Sequence, residues 1–103
     1  MIKKRLKQIE KRIGKIKEQL CAIDEMRPGS LTKQYKDPAN HQGPYYQLSY
    51  TLAMKSRTDY IRKDFVKEIR RQVKNYNRYK QLMSEWVVLS IEHSKLTMKL
   101  AHE

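Results

Sequence analysis

The densest group of residues able to bind another molecule is a basic segment at positions 62–80. Its Lys and Arg residues far outnumber its acids, and most fall three or four positions apart. They are Arg62, Lys63, Lys67, Arg70, Arg71, Lys74, Arg78 and Lys80. On a helix, such spacing places charges on one face, opposite the apolar positions. Ammonium and guanidinium groups arranged in this way suit phosphates, so the segment predicts contact with a polyanion.

A solvated helix face is the alternative interpretation of the same segment. Such a face normally carries acids and bases four residues apart, which support each other. Here like charges follow one another, which destabilises the helix unless a counter-charge is supplied from outside. Polyanion binding is therefore the favoured interpretation. A second basic run at residues 3–17 is explained nearly as well by the exterior of a coiled coil.

Tyrosines form the second group of candidate binding residues. Six of them are Tyr45, Tyr46, Tyr50, Tyr60, Tyr76 and Tyr79. Exposed rings can stack on nucleic-acid bases, whereas buried rings supply the core of a small domain. The alternation in segment 45–52 places Tyr46 and Tyr50 on an apolar face and Tyr45 on the polar one. We expect most of these rings to be core and Tyr45 to be exposed.

No catalytic or metal-binding constellation is discernible in the sequence. The three histidines, His41, His93 and His102, are not spaced as metal ligands, and no Cys or acid completes a set. There is no Gly-rich phosphate loop, Ser-His-Asp set or Cys-His pair. A tyrosine nucleophile for DNA strand transfer would lack its surrounding His, Arg and acidic residues. The sequence therefore predicts a non-enzymatic protein without cofactor or metal.

Composition limits the class of partner. The 103 residues contain 23 Lys and Arg against 11 Asp and Glu, a net charge of +12. Such an excess favours nucleic acid first and an anionic membrane second. One cysteine, no apolar run of about 20 residues and no signal-like N-terminus predict a cytoplasmic protein. The length predicts a single domain over residues 1–103.

A heptad pattern predicts the first helix at residues 2–26. Apolar residues recur with alternating steps of four and three, which is typical of a helix that packs on another helix. They are Ile2, Leu6, Ile9, Ile13, Ile16, Leu20 and Ile23. Arg27-Pro28-Gly29 would end this helix, because the residue before proline avoids the α region.

The middle section, residues 30–62, has the short period of β-structure. Segment 30–35 could be a first strand, and 36–44, with two prolines and a glycine, is predicted to be a loop. Segments 45–52 and 56–62 would then pair as an antiparallel hairpin. The linking Ala53-Met54-Lys55 lacks the Asn-Gly expected of a tight turn, so the turn type stays open.

Helical periodicity returns over residues 64–101. A first apolar stripe contains Val66, Ile69, Val73 and Tyr76. A second contains Leu82, Trp86, Leu89, His93, Leu96 and Leu100. Tyr79 lies between them at a three-residue step on either side, a phase change that rotates the apolar stripe around the helix. The two halves of one long helix are thus predicted to use different faces.

Together these elements predict a mostly α protein with a small β-hairpin. Its two long helices would form an antiparallel coiled-coil stalk with a small α+β head. Neither apolar stripe could remain exposed, so a homo-oligomer, most simply a dimer, is expected. Whether the stalk closes within one chain or between chains stays open.

Three segments carry a resemblance to a known family. At MRPGSL (26–31), GPYYQLSYTL (43–52) and KEIRRQVKNYNRYKQL (67–82) the chain resembles a widespread family of small, uncharacterised prokaryotic proteins. Their genes often lie near transposases and other mobile-element genes. Many members carry a cysteine-rich knuckle before the Gly-Pro-Tyr, which this chain lacks. The resemblance implies mobile DNA as context, no established activity and no metal site here.

The resulting prediction is a DNA-binding accessory or regulatory protein linked to a mobile element. The predicted binding residues are Lys55, Arg57, Arg62, Lys63, Lys67, Arg70, Arg71, Lys74, Arg78 and Tyr45. The alternative is a non-enzymatic coiled-coil protein that docks a larger partner such as a transposase. Binding to a membrane surface is disfavoured, because no helix sets a Trp- and Phe-rich face against lysines.

Overall fold

A computed structural model describes residues 1–102 and shows two α-helices and one antiparallel sheet of three strands. The elements are α1 (Ile2–Cys21), β1 (Ser30–Asp37), β2 (Gln42–Leu52), β3 (Lys55–Ile61), a 3-10 turn (Lys63–Phe65) and α2 (Val66–Ala101). The prediction of two long helices around a short β-section is confirmed. The first predicted strand adds a third member to the hairpin, in the order β1-β2-β3. The prediction of a loop over 36–44 is wrong at both ends, because β1 and β2 pair as far as Asp37 and Gln42 and leave only residues 38–41 as a turn.

The chain divides into two compact units. One contains residues 1–24 and 78–103, and we call it the helical unit; the other contains residues 25–77, the sheet unit. Helix α2 contributes its first part to the sheet unit and the remainder to the helical unit. The assignment of residues 1–103 to a single domain stays a prediction.

The core of the sheet unit lies between β2 and the start of α2. Leu48 is fully buried at the centre of the sheet, and Ile61 and Val66 are buried beside it. Around them pack Leu31, Tyr46, Tyr50, Ile69 and Val73. The alternation in β2 therefore corresponds to a half-buried strand, as predicted, because its apolar positions face the helix. Leu52, the last position of that face, is 56% exposed beside the turn.

The turn between β2 and β3 is tighter than its sequence suggests. Leu52 pairs with Lys55, so only Ala53 and Met54 form the loop. Both have positive φ, 52° and 64°, as in a type I′ turn. That conformation costs a residue with a side chain about 1–2 kcal/mol. The turn is therefore strained at the two positions where Asn and Gly are preferred.

The buried side of the helical unit matches the predicted heptad positions. Ile9 and Ile16 of α1 are fully buried, and Leu82 of α2 is 2% exposed. The other heptad positions of α1 are half-buried, as are the later members of the second stripe of α2. Within residues 1–102, neither helix has a stretch long and apolar enough to cross a membrane.

Side-chain pairs set the direction of the two helices in this unit. Contacts advance by seven residues along α1 while they retreat by seven along α2, so the helices run antiparallel. The pairs are Arg5–Glu92 at 2.6 Å, Arg12–Glu85 at 2.6 Å and Gln19–Arg78 at 2.9 Å. A step of seven equals two helical turns and keeps these pairs along one flank of the apolar contact.

Helix α1 ends at Cys21, earlier than the predicted residue 26. The following residues, 23–28, belong to no helix or strand, and part of this segment is hydrogen-bonded to the first part of α2. Asn75 Nδ2 donates to the Glu25 carbonyl at 2.9 Å, and Arg27 N donates to the Gln72 carbonyl at 3.1 Å. These tertiary hydrogen bonds replace the helical bonds that local periodicity favoured.

Gly29 generates the first testable prediction. Its φ is +123°, and an added Cβ would lie 2.5 Å from the Ser49 carbonyl oxygen. Gly29→Ala should lower the free energy of unfolding by about 1–3 kcal/mol, as expected for a strained backbone position. Gly43→Ala is the matched control and should cost less, because its φ of +66° lies in the ordinary left-handed region and the nearest contact of an added Cβ is Lys36 Cβ at 3.0 Å rather than a backbone oxygen at 2.5 Å. Denaturant melts showing equal losses would contradict this account.

The strained turn generates the second prediction. Replacing Ala53-Met54 by Asn-Gly should raise the free energy of unfolding by about 1 kcal/mol or more, because both residues tolerate positive φ. Thermal melts followed by circular dichroism would measure the gain. Met54→Gly alone should provide part of it. An unchanged or lower melting temperature for the double variant would show that the turn is not strained.

Candidate nucleic-acid interface

The basic face of α2 is the strongest candidate site in the sheet unit. Lys67, Arg70 and Lys74 are exposed and lie on the side of the helix away from the half-buried Ile69 and Val73, which pack on the core. They line a surface groove together with Asp64, Glu68 and Arg71. Within residues 1–102, none of the three forms an ion pair or a side-chain hydrogen bond. Their charges are therefore available to a ligand.

Arg71 lies in the same groove but is engaged differently. Its guanidinium donates to both oxygens of Glu68, at 2.5 and 2.8 Å, and to Glu25 at 3.3 Å. Glu25 belongs to the segment after α1, so this arginine fastens that segment to α2. We therefore assign Arg71 a structural role in addition to any contact with a ligand.

Glu68 is held as a carboxylate by these contacts. Hydrogen bonds from Arg71, and secondarily from Gln72, lower the pKa of Glu68 from 4.5 to about 2. The carboxylate thus offsets the charge of one arginine at neutral pH. It leaves the neighbouring Lys67, Arg70 and Lys74 as the excess positive charge of the groove.

Arg62 and Lys63 precede α2. Of these two cations, one has a partner and the other has none in the described part of the chain. Arg62 bonds Asp64 at 3.0 Å and lies 5.4 Å from the centre of the Phe65 ring. Lys63 has neither kind of partner within residues 1–102. It instead lines a small cavity of about 110 Å³, whose other walls are Lys33, Pro44, Tyr45, Tyr46, Tyr60 and Ile61.

Tyr45 is less isolated than its polar surroundings in the sequence predict. It is half-buried and stacks on Tyr60, with ring centroids 5.7 Å apart and planes inclined by 10°. Tyr60 is 65% exposed and presents the more accessible ring. The sequence analysis singled out Tyr45 as the exposed ring and not Tyr60, although Tyr60 alternates with the buried Ile61 and so had to face outward.

Tyr45 and Tyr60 lie on one face of the sheet. Over the four cross-strand rows from Gln34–Tyr45 to Thr51–Ser56, this face carries no charged residue. Its cross-strand rows, from the pairing register, are Gln34–Tyr45, Thr32–Gln47–Tyr60, Ser30–Ser49–Thr58 and Thr51–Ser56. Hydroxyl and amide groups can donate and accept hydrogen bonds at base edges. In a chain of net charge +12, this is a distinct polar surface.

The remaining predicted residues lie apart from the α2 groove. Lys55 and Arg57 are on β3, opposite Leu52 and Tyr50, beside the strained turn. Arg78 belongs to the helical unit, where it donates to Gln19. The structure therefore brings together the predicted cations at positions 67–74 and leaves the others in separate places.

No metal centre is evident in the part of the chain that the structure describes, residues 1–102, because no three His, Cys, Asp or Glu side chains converge. Residues 38–41 form the turn that joins β1 and β2. His93, expected to be packed and hydrogen-bonded, lies 3.2 Å from Glu10 through its Nε2 atom.

These features define a small basic protein built from a helical unit and a unit with a three-stranded sheet. A family model described as a domain of unknown function (DUF6788) matches residues 2–71. The match covers more than half of the chain, so the chain belongs to this family. It includes α1, the sheet and the start of α2. No curated protein and no solved structure shows significant similarity.

The Glu68–Arg71 pair generates the third prediction. Because the folded-state pKa of Glu68 lies below 4.5, the pair stabilises the fold above about pH 4.5, and this stabilisation is lost as the pH falls towards 2. NMR of the Glu68 carboxyl carbon should titrate near 2 in the parent and near 4.5 in Arg71→Ala. Arg70→Ala is the adjacent control and should leave the Glu68 pKa low. Similar shifts in both variants would contradict the assignment.

Proposed function

We propose that this chain is a non-enzymatic nucleic-acid-binding protein, with DNA favoured over RNA, that serves as an accessory or regulator of a mobile element. The observation that carries the proposal is the set of unpaired, exposed cations Lys67, Arg70 and Lys74 on one helix face. The resemblance to proteins encoded near transposases supports the mobile-element context.

The energetic argument concerns repulsion between these cations. Three positive groups within two helical turns repel one another, and none has a carboxylate of its own within residues 1–102. Phosphates would relieve this repulsion, and binding would release counterions from the nucleic acid. These contacts would position the chain on the backbone without reading sequence.

The Tyr45–Tyr60 face would add contacts of another kind. Its stacked rings lie at the cavity that Lys33 and Lys63 also line. A base could stack on Tyr60 while these ammonium groups contact the adjoining phosphate. We assign this face to unpaired bases and the α2 groove to the backbone.

The helical unit would support binding indirectly. Its two antiparallel helices with heptad-spaced apolar residues suit a coiled coil, and we propose that this unit assembles two copies. A dimer would double the number of basic grooves that one nucleic acid can contact.

The fourth prediction tests the basic groove. Lys67→Ala/Arg70→Ala/Lys74→Ala should weaken binding to every sequence and flatten the dependence of log K on log salt by about one unit per lost phosphate contact. Arg71 is left in place because it holds the segment after α1. Fluorescence anisotropy with duplex DNA, single-stranded DNA and RNA over a salt series would measure both effects.

Lys4→Ala/Lys7→Ala/Lys11→Ala is the matched control. These three lysines are also exposed, share one helix face and have no partner within residues 1–102, but they belong to α1. The control should change binding much less. If the chain instead docks a larger partner such as a transposase, the control should impair that docking and neither triple should change DNA affinity. Equal, shallow effects of both triples would mean that the charge is generic.

A further inference from the structure

Helix α2 exposes an apolar groove next to the side that packs against α1. Of its lining residues, Trp86 also contacts α1, with the centre of its ring 5.3 Å from Lys17 Nζ. Val87, Ile91 and Met98 are each more than half exposed, at 53%, 51% and 58%. With Met83, Trp86, Ser90, Ser94 and Lys95 they line a groove of about 530 Å³. A contiguous apolar surface of this kind is typical of an interaction site.

The space beside this groove is open down to the backbone of α1. Ser90 and Ser94 also line a neighbouring cavity, which Gly14 borders. A glycine inside a helix costs about 1 kcal/mol relative to alanine. No contact within residues 1–102 requires it, since an added Cβ would meet nothing within 4 Å. Gly14 and the two serines thus leave room for another helix to approach closely.

The order of residues along the groove identifies the helix that would fit. The groove positions are spaced symmetrically about a midpoint between Ser90 and Ile91. Reversal matches Met83 with Met98, Trp86 with Lys95, Val87 with Ser94 and Ser90 with Ile91. Val87 then faces Ser94 and Ile91 faces Ser90, so a branched side chain meets a small one in both pairs. Met83 meets Met98, and the stem of Lys95 would lie along the Trp86 ring. A helix of the same sequence running in the opposite direction is therefore complementary.

We propose that this groove is a dimer interface, in which the α2 helix of a second copy packs antiparallel across a twofold axis near Ser90. Parallel pairing would instead place Lys95 against Lys95 and Ile91 against Ile91, which combines charge repulsion with overcrowding. A twofold contact uses the same patch on both copies, as the reversed order of residues allows. The proposal does not depend on nucleic-acid binding.

Two adjacent valines provide the test of the surface. Val87 lines the groove, whereas Val88 is 64% exposed and does not. Light scattering at tens of micromolar should show a dimer for the parent and for Val88→Glu, and a monomer for Val87→Glu. Both substitutions lie at exposed positions, so circular dichroism should show the same helix content in all three proteins. A monomeric parent, or equal disruption by both variants, would overturn the proposal.

Cross-linking tests the direction of pairing. In a Cys21→Ser background, Met83→Cys and Met98→Cys chains should form a disulfide when they are mixed and oxidised. Neither should cross-link alone, because antiparallel pairing separates identical positions by about 22 Å at 1.5 Å per residue. If each variant forms a disulfide with itself, and the mixture contains no disulfide between Met83→Cys and Met98→Cys chains, the packing is parallel and the proposed geometry is overturned.

Discussion

The pairing of a few carboxylates with selected arginines is the constraint on which this structure depends. A chain with 23 basic and 11 acidic residues must fold without bringing its cations together. Glu85 and Glu92 join α2 to α1, Glu25 and Glu68 share Arg71, and Asp59 bonds Arg27. In each case the arginine and an acid come from segments distant in sequence. The acids are thus used where the chain must close on itself.

As a consequence, cations without an acidic partner lie at positions that do not join distant segments of the chain. Arg71 is paired, while Arg70, one residue earlier, has no partner within residues 1–102. Planar guanidinium groups suit the bidentate contacts with carboxylates that join such segments. The proposed binding surface and the contacts that stabilise the fold therefore draw on the same residue types. Charge density in the sequence indicates a binding segment, but the acids decide which of its cations remain available.

Periodicity was sufficient to predict the elements and their buried faces. The heptad residues of α1 and the alternation around Leu48 turned inward as predicted, because local side-chain direction follows from helix and strand geometry. Partners distant in sequence could not be predicted in this way. The contact of Arg71 with Glu25 and the early end of α1 at Cys21 both depend on tertiary hydrogen bonds. The stacking of Tyr45 on Tyr60 likewise required the register of β2 and β3.

The phase change at Tyr79 explains why α2 has apolar surface left over. Before it, the helix buries Val66 with the sheet; after it, Leu82 lies in the contact with α1. Val87, Ile91 and Met98 are each more than half exposed and are buried in neither contact. A helix that is apolar on more than one side is stable in water only if each side is covered. The groove on α2 is thus a surface that a further helix would cover, and in the antiparallel dimer proposed above a second copy of this chain supplies that helix.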